Sequence, residues 1–234
     1  MTMEEGLWKS VLRADATDWL LEASNPSVRY FALKDLIGKP DGHPEVVEAR
    51  KNIMLEDPVP EILAKQKEGS YWGKPEGFYI HAKYKGTVWQ LIVLAELRAD
   101  GNDNRVKKAC EFILRNSQDH ESGGFATYSS KSGGGDHNKV LPCLTGNMVW
   151  SLIRLGYLED KRVKCAIDWI TKYQRFDDAT GKAPKGWPYD KKRKCFSKHS
   201  CHMGVVKALK ALAGLENLAI IKLDEHSFLI KRKK

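Results

Sequence analysis

An internal repeat of 57 residues is the feature that most constrains what this chain can fold into. Asn104–Leu114 (NRVKKACEFIL) recurs as Lys161–Thr171 (KRVKCAIDWIT). A more apolar segment with helical spacing precedes each copy, at Val88–Leu94 and Val149–Leu155, and a third such segment is Val205–Leu212. Self-similarity at a fixed period is typical of proteins whose helical pairs stack on one another. The sequence therefore predicts an array of repeated helical pairs.

The two helices of each pair differ in character. One is apolar nearly all round and must be buried on most sides, whereas its partner is amphipathic and can face water. Alternation of the β type is hard to find over a useful length, because helical spacing dominates the chain. We therefore predict an all-α fold class, with apolar helices on the inside of a ring or solenoid and amphipathic helices on the outside.

Helix start and stop signals give the expected boundaries. Pro26 and Pro44 each open a helix, the first of which ends at Gly38, and a short helix runs from Pro58 to Gln66. Further helices are predicted at about residues 86–99, 103–117, 144–157, 160–174 and 202–214.

Each amphipathic helix is followed by a glutamine and a glycine-aromatic loop. Glycine lets the chain turn sharply, the aromatic ring fills the groove between helices, and the glutamine amide ties the loop to backbone groups. We predict that these residues are structural. They are Gln66 with Gly69–Trp72, Gln118 with Gly123–Phe125, and Gln174 with Gly186–Trp187.

The order of apolar helix, amphipathic Arg-Val-x-x-Ala helix, glutamine and glycine-aromatic loop resembles the prenyltransferase/squalene-oxidase repeat of the terpenoid cyclase and protein prenyltransferase superfamily. The resemblance covers residues 59–214 and implies an (α/α) toroid with a central cavity lined by the inner helices. Residues 15–57 resemble a HEAT-like helical pair. The expected domains are HEAT-like helices in residues 1–57, the toroid repeats in 58–217 and a basic C-terminal tail in 218–234.

Reactive residues concentrate in the segments that precede the apolar helices. Because the repeated inner helices are expected to run parallel, these segments converge at one end. Thiolate and imidazole groups gathered from separate loops suit a tetrahedral zinc site. Alternatively, reduced cysteines serve as small buried hydrophobes and the histidines as hydrogen-bond partners. The residues are Tyr79 and His81, then His137 and Cys143, then Cys195, His199, Cys201 and His202. Cys110 and Cys165 lie within the amphipathic helices and are predicted to be packing residues.

Two zinc-dependent branches of the superfamily imply which of these residues would be ligands. Protein prenyltransferase β subunits use an Asp-x-Cys pair and a later His, which the resemblance matches to Cys143 and His199, with Leu141 at the Asp position. Lanthionine cyclases use one Cys and a later Cys-His pair, which would be Cys143, Cys201 and His202. The resemblance thus implies a zinc ion bound by a set drawn from these Cys and His residues.

Such a site implies a reaction. Zinc with an open position would hold a substrate thiol as a nucleophilic thiolate, and His137 is predicted to act as general acid or base. The expected function is a zinc-dependent transferase or cyclase that joins a thiol to an apolar or isoprenoid-like partner. The alternative is a non-catalytic α/α scaffold that binds an apolar ligand or a protein. The Asp-x-Asp-Asp motif of squalene-type cyclases does not occur. The predicted substrate-binding residues are Trp72, Tyr79, His81, Trp89 and Trp150.

Charge and length bear on partners and location. The chain carries 39 Lys and Arg against 30 Asp and Glu, a net charge of +9, and Lys191–Lys194 directly precede Cys195. We expect an anionic ligand such as a diphosphate there, whereas nucleic acid is not expected because no nucleic-acid-binding motif accompanies the charge.

Without an export signal or a membrane-spanning apolar run, the chain is expected to be cytoplasmic. Its length supplies about eight or nine of the twelve helices of a full ring. The open side is expected to be closed by a protein partner, left as an exposed groove, or explained by a truncated natural chain.

Overall fold

The computed structural model describes residues 13–76, 78–79, 83–176, 182–192, 194–196, 200–216, 221–223 and 230–232. These residues are predominantly helical, as the sequence predicts. The chain divides into two compact units, which are described separately. Unit 1 comprises residues 1–65 and 97–100, and unit 2 comprises residues 66–96 and 101–234. No helix within the described ranges is both long enough and apolar enough to span a bilayer.

The described residues of unit 1 form four short α-helices: α1 (Thr17–Leu20), α2 (Pro26–Phe31, continued by a π-helical turn at Ala32–Leu36), α3 (Pro44–Asn52) and α4 (Val59–Ala64). The predicted proline starts of α2 and α3 are confirmed. The Asn25 side chain accepts a hydrogen bond from the Val28 N–H, and the His43 ring accepts one from the Glu45 N–H. Its core consists of the buried side chains of Leu33, Val46, Ile53, Val59 and Leu63.

Unit 2 contains the repeats. Its helices are α5 (Thr87–Glu96), α6 (Asn104–Asn116), α7 (Pro142–Arg154), α8 (Lys161–Tyr173) and α9 (His202–Glu216), and each lies within a few residues of its predicted boundaries. A single 3-10 turn at His137–Lys139 precedes α7. Beyond α9, two three-residue strands, β1 (Ile221–Leu223) and β2 (Ile230–Arg232), pair antiparallel, an element that the sequence analysis did not predict.

The two repeat copies, α6 and α8, begin in the same way. Asp103 and Asp160 cap them by accepting from the backbone N–H of Arg105 and Arg162, at 2.8 Å in both cases. The guanidinium of each arginine also donates hydrogen bonds to the capping carboxylate. The Asp-x-Arg sequence thus fixes the start of each amphipathic helix and satisfies a backbone N–H that lacks a partner inside the helix.

The predicted role of the glutamines as links to backbone groups is borne out. The Gln66 amide donates to the carbonyl oxygen of Arg105 at 3.0 Å, and the Gln118 amide donates to that of Arg162 at 2.6 Å. Gln118 also donates to the Gly123 carbonyl within its own loop. Gln174 instead donates to the adjacent Arg175 carbonyl. The first two glutamines therefore join the end of one repeat to the start of the next amphipathic helix.

The aromatic residues of the loops are fixed to the apolar helices by a repeated hydrogen bond. The backbone N–H of Trp72 donates to the hydroxyl of Thr87 at 3.1 Å, and that of Phe125 donates to the hydroxyl of Thr145 at 2.9 Å. All four residues are buried. Each aromatic ring is therefore set against the first part of the inner helix that follows it.

Helices α7 and α9 run parallel and in close backbone contact. A Cβ atom at Gly146 would lie 2.5 Å from the backbone carbonyl carbon of Lys207 and 2.7 Å from the Ala208 nitrogen. One turn earlier on both helices, a Cβ at Gly204 would lie 3.2 Å from the Cβ of Pro142. The pairings advance in the same direction along both helices, so the two helices start at the same end. This agrees with the expectation that the segments preceding the inner helices converge.

Candidate functional site

A group of cysteines lies where α7 and α9 begin. Cys143 is the second residue of α7, and Cys201 directly precedes α9. Because Pro142 lies against Gly204, the starts of the two helices are adjacent, and both thiols are half-buried there. The structure therefore brings together two of the four predicted zinc ligands.

A third thiol joins them through a small hairpin. Phe196 and Ser200 form an antiparallel bridge, and the backbone N–H of Cys201 donates to the carbonyl oxygen of Cys195 at 3.0 Å. These contacts set Cys195 and Cys201 directly opposite each other, and opposed residues of an antiparallel pair present their side chains on one face. We call Cys143, Cys195 and Cys201 the thiol cluster.

An aromatic wall adjoins the thiol cluster. The Tyr79 hydroxyl lies 3.8 Å from the Cys143 sulfur, and its ring stacks on Trp89 with centroids 5.5 Å apart and an interplanar angle of 13°. The Trp89 indole N–H donates to the Tyr79 carbonyl oxygen at 3.1 Å, which fixes the stack. Two of the predicted substrate-binding residues thus lie together, beside the thiols.

Burial dominates the proton affinity of this group. It raises the pKa of Cys143, with the Tyr79 hydroxyl acting in the opposite direction and the charge of Cys201 adding to the rise. Burial, followed by the charges of Cys143 and Cys201, raises the pKa of Cys195 to about 11. Burial and then Cys143 raise the pKa of the Tyr79 hydroxyl. Cys143 and Cys195 therefore carry their protons at neutral pH, and binding of a cation would release them.

His202, a predicted zinc ligand, is the first residue of α9 and is exposed. The predicted ligand His199 and the predicted substrate-binding residue His81 lie outside the described residues. Across the part of the chain that the structure describes, no three His, Cys, Asp or Glu side chains are positioned as they stand to hold a metal ion. The donor chemistry of the thiol cluster nevertheless suits zinc, because Cys143, Cys195 and Cys201 all offer soft sulfur donors. The zinc site itself stays a prediction.

His137, the predicted acid or base, is held by a carboxylate and an indole. Its Nδ1 lies 2.8 Å from the Asp119 carboxylate, and its ring stacks on Trp187 with centroids 4.1 Å apart. The Trp187 indole N–H donates to the His137 carbonyl oxygen at 3.2 Å. Asp119 is buried and also accepts from the Ser122 hydroxyl. The Asp119 contact occupies Nδ1, so proton exchange with a substrate would take place at Nε2.

The remaining predicted substrate-binding aromatics have buried positions. Trp72 is buried beside Thr87. Trp150 is 8% exposed, with the Lys210 ammonium 3.7 Å above its ring and the Arg154 guanidinium 5.6 Å from it. These contacts use the aromatic faces for cation–π interactions within the protein.

Part of the predicted basic segment lies at the thiol cluster. Burial lowers the pKa of Lys192, and the nearby Lys139 lowers it further, whereas Cys195 and Asp136 act in the opposite direction. Lys192 is half-buried. Arg193 lies outside the described residues.

A cavity of about 410 Å³ lies on the outer side of α8. The 118–123 loop forms one wall, and Lys161, Cys165, Trp169 and Lys172 contribute to the other. Cys165 is exposed here, so its prediction as a packing residue is wrong, whereas Cys110 is fully buried as predicted. The difference arises because Cys165 lies outside the buried stripe of Val163, Ala166 and Ile170 on α8.

Sequence reasoning missed the partners of the predicted residues. The sequence pattern does not single out Cys195 as a ligand, nor Asp119 and Trp187 as partners of His137. The signal for Cys195 was its separation of six residues from Cys201, which allows a short hairpin to set the two thiols opposite each other.

Comparisons with protein-family models, with curated proteins and with solved structures found no match to this chain. Membership of the terpenoid cyclase and protein prenyltransferase superfamily therefore stays a prediction from the repeat.

Proposed function

We propose that unit 2 is an α/α-toroid-like domain that acts as a zinc-dependent transferase or cyclase and joins a substrate thiol to an apolar or isoprenoid-like partner. The observation that carries the proposal is the convergence of the thiol cluster and Tyr79 at the start of the parallel helices α7 and α9. The repeated helical pairs support the toroid, which in this proposal is an incomplete ring.

Cys143 and Cys201, together with His199 or His202, would hold the zinc ion in this proposal. Zinc, when bound, supplies a Lewis acid that keeps a substrate thiol deprotonated at neutral pH. Burial of the surrounding residues excludes water and so strengthens the electrostatic interactions within the site. The raised pKa of Cys143 is consistent with a thiol that ionises only when a cation replaces its proton.

The other residues have distinct roles. Tyr79 and Trp89 form an apolar wall against which an isoprenoid-like chain can pack. Lys192 and Lys191 place positive charge next to the cluster, where the diphosphate of an activated substrate would bind. His137, oriented by Asp119, exchanges a proton at Nε2 during the reaction.

The metal content of the full chain purified without chelators tests the proposal. We expect about one zinc per chain, lost in Cys143→Ser and in Cys201→Ser because three ligands are needed for a stable site. Cys165→Ser is the matched control, since it removes an exposed thiol from α8 and should retain the metal. Wild-type protein that is folded by circular dichroism and contains no zinc, even after incubation with the ion, would refute the proposal.

A second candidate function is a metal-free scaffold that binds a protein partner. The observation in its favour is the apolar surface of α9, where Met203 and Val206 are 56% and 57% exposed, one turn apart on the same face. A metal-free protein whose association with a partner is lost in a Met203→Glu/Val206→Glu variant would support this function in place of the first.

A further inference from the structure

We propose that Cys195 is the third protein ligand of the zinc site, which is therefore an all-thiolate site of Cys143, Cys195 and Cys201. This inference rests on the proposed function and replaces the histidine that the sequence resemblance implies.

The hairpin presents a pair of sulfurs at a suitable separation. Cys195 and Cys201 are opposed across the Phe196–Ser200 bridge, with the Cys201 N–H bonded to the Cys195 carbonyl at 3.0 Å. Opposed residues have Cβ atoms about 5 Å apart and side chains on one face. Two sulfurs that share a tetrahedral zinc at about 2.3 Å lie about 3.8 Å apart. Rotation about one side-chain bond in each cysteine therefore brings the two sulfurs to the separation that the ion requires.

Helix packing supplies the third thiol. Pro142 lies against Gly204, so the start of α7, where Cys143 stands, is adjacent to the chain that runs from Cys201 into α9. The Tyr79 hydroxyl lies 3.8 Å from the Cys143 sulfur. The three thiols thus come from one helix start and both sides of one hairpin.

His202 fits the same group less well. It follows Cys201 by one residue and is the first residue of α9, so its side chain is rotated by about 100° from a position at Cys201. Its side chain is exposed, as are Met203 and Val206 on this helix. Cys195 instead belongs to the same half-buried environment as the other two thiols.

Neighbouring charge favours three thiolates. Zinc with three thiolates carries one negative charge in excess, which a buried environment disfavours unless a cation is close. Lys192 precedes Cys195 by three residues, is half-buried, and can supply that cation.

Cobalt substitution in the full chain tests the inference, because the thiolate-to-cobalt charge-transfer absorption depends on the number of sulfur ligands. In Cys195→Ser we expect cobalt to bind more weakly, as in Cys143→Ser and Cys201→Ser, and the band of the cobalt that stays bound to fall by about one third per ion as three thiolates become two. His202→Gln and the control Cys165→Ser should leave the band unchanged. A Cys195→Ser protein with full metal content and an unchanged band would overturn the inference and leave the proposed function standing. Wild-type protein that binds neither cobalt nor zinc would refute the proposed function itself.

A second measurement uses the wild-type chain and does not depend on a variant that folds. Cysteine alkylation is followed by mass spectrometry in the presence and absence of zinc. We expect zinc to protect Cys143, Cys195 and Cys201, and to leave alkylation of the exposed Cys165 unchanged. Protection of Cys143 and Cys201 without protection of Cys195 would contradict the role of Cys195.

Discussion

Substitution of Gly146 by alanine tests the parallel contact of α7 and α9, on which the position of the thiol cluster depends. The new methyl group would lie 2.5 Å from the Lys207 carbonyl carbon, whereas ordinary contact begins at 3.4 Å. The two backbones would have to separate by about 0.9 Å, because backbone atoms cannot rotate away as a side chain can. Overpacking of this kind costs about 3 kcal/mol, and the higher helix propensity of alanine returns about 1 kcal/mol. We expect a net loss of about 2 kcal/mol in the free energy of unfolding.

Gly214→Ala is the matched control, because a methyl group at Gly214 on α9 would meet nothing within 4 Å. We expect it to gain up to about 1 kcal/mol from helix propensity alone. Urea unfolding followed by circular dichroism measures both changes, and a loss of 2 kcal/mol should lower the melting temperature by about 4–8 °C in a chain of this size. If Gly146→Ala is as stable as the wild type while Gly214→Ala shows its gain, the close contact of α7 and α9 is refuted.

Two further predictions concern the repeat. Gln118→Ala should lower the free energy of unfolding by about 2 kcal/mol, because the Gln118 amide donates to both the Gly123 and the Arg162 carbonyl oxygens. Gln174→Ala removes one local hydrogen bond and should lower the free energy of unfolding by less in the same urea experiment. Burial raises the pKa of the Cys110 thiol from 9.0 to about 12. Above pH 9 the unfolded state therefore binds fewer protons than the folded state, so the free energy of unfolding falls as the pH rises toward 12. The free energy of unfolding of Cys110→Ala should therefore fall less than that of the wild type over this pH interval. Identical pH profiles of unfolding for the two proteins would contradict the raised pKa of Cys110.

Local signals in the sequence were sufficient for most of the helices. Pro26 and Pro44 fixed helix starts because proline has a helical φ and needs no N–H partner in the first turn. The four residues of α1 are too few to show a period, and the three-residue strands β1 and β2 are too short to show alternation. These elements depend on tertiary contacts, which a local sequence pattern does not indicate.

The candidate site was predictable to the extent that it follows from the repeat. Parallel inner helices bring their preceding segments together, which is why Tyr79, Cys143 and Cys201 are neighbours. The pairing of Cys195 with Cys201 depends on a hairpin without a strand-like pattern. The positions of Trp72 and Trp150 could not be predicted either, because a cavity wall and a packed core select the same aromatic residues.

The glutamine contacts between repeats have a consequence for how such a chain can change in length. Gln66 and Gln118 bind backbone carbonyl oxygens, at Arg105 and Arg162, so the junction depends on where the next helix begins and not on which side chain it carries there. A duplicated or deleted block of 57 residues would therefore meet the same acceptor at its new neighbour. This hydrogen bond would therefore be kept when the array is lengthened or shortened by whole repeats.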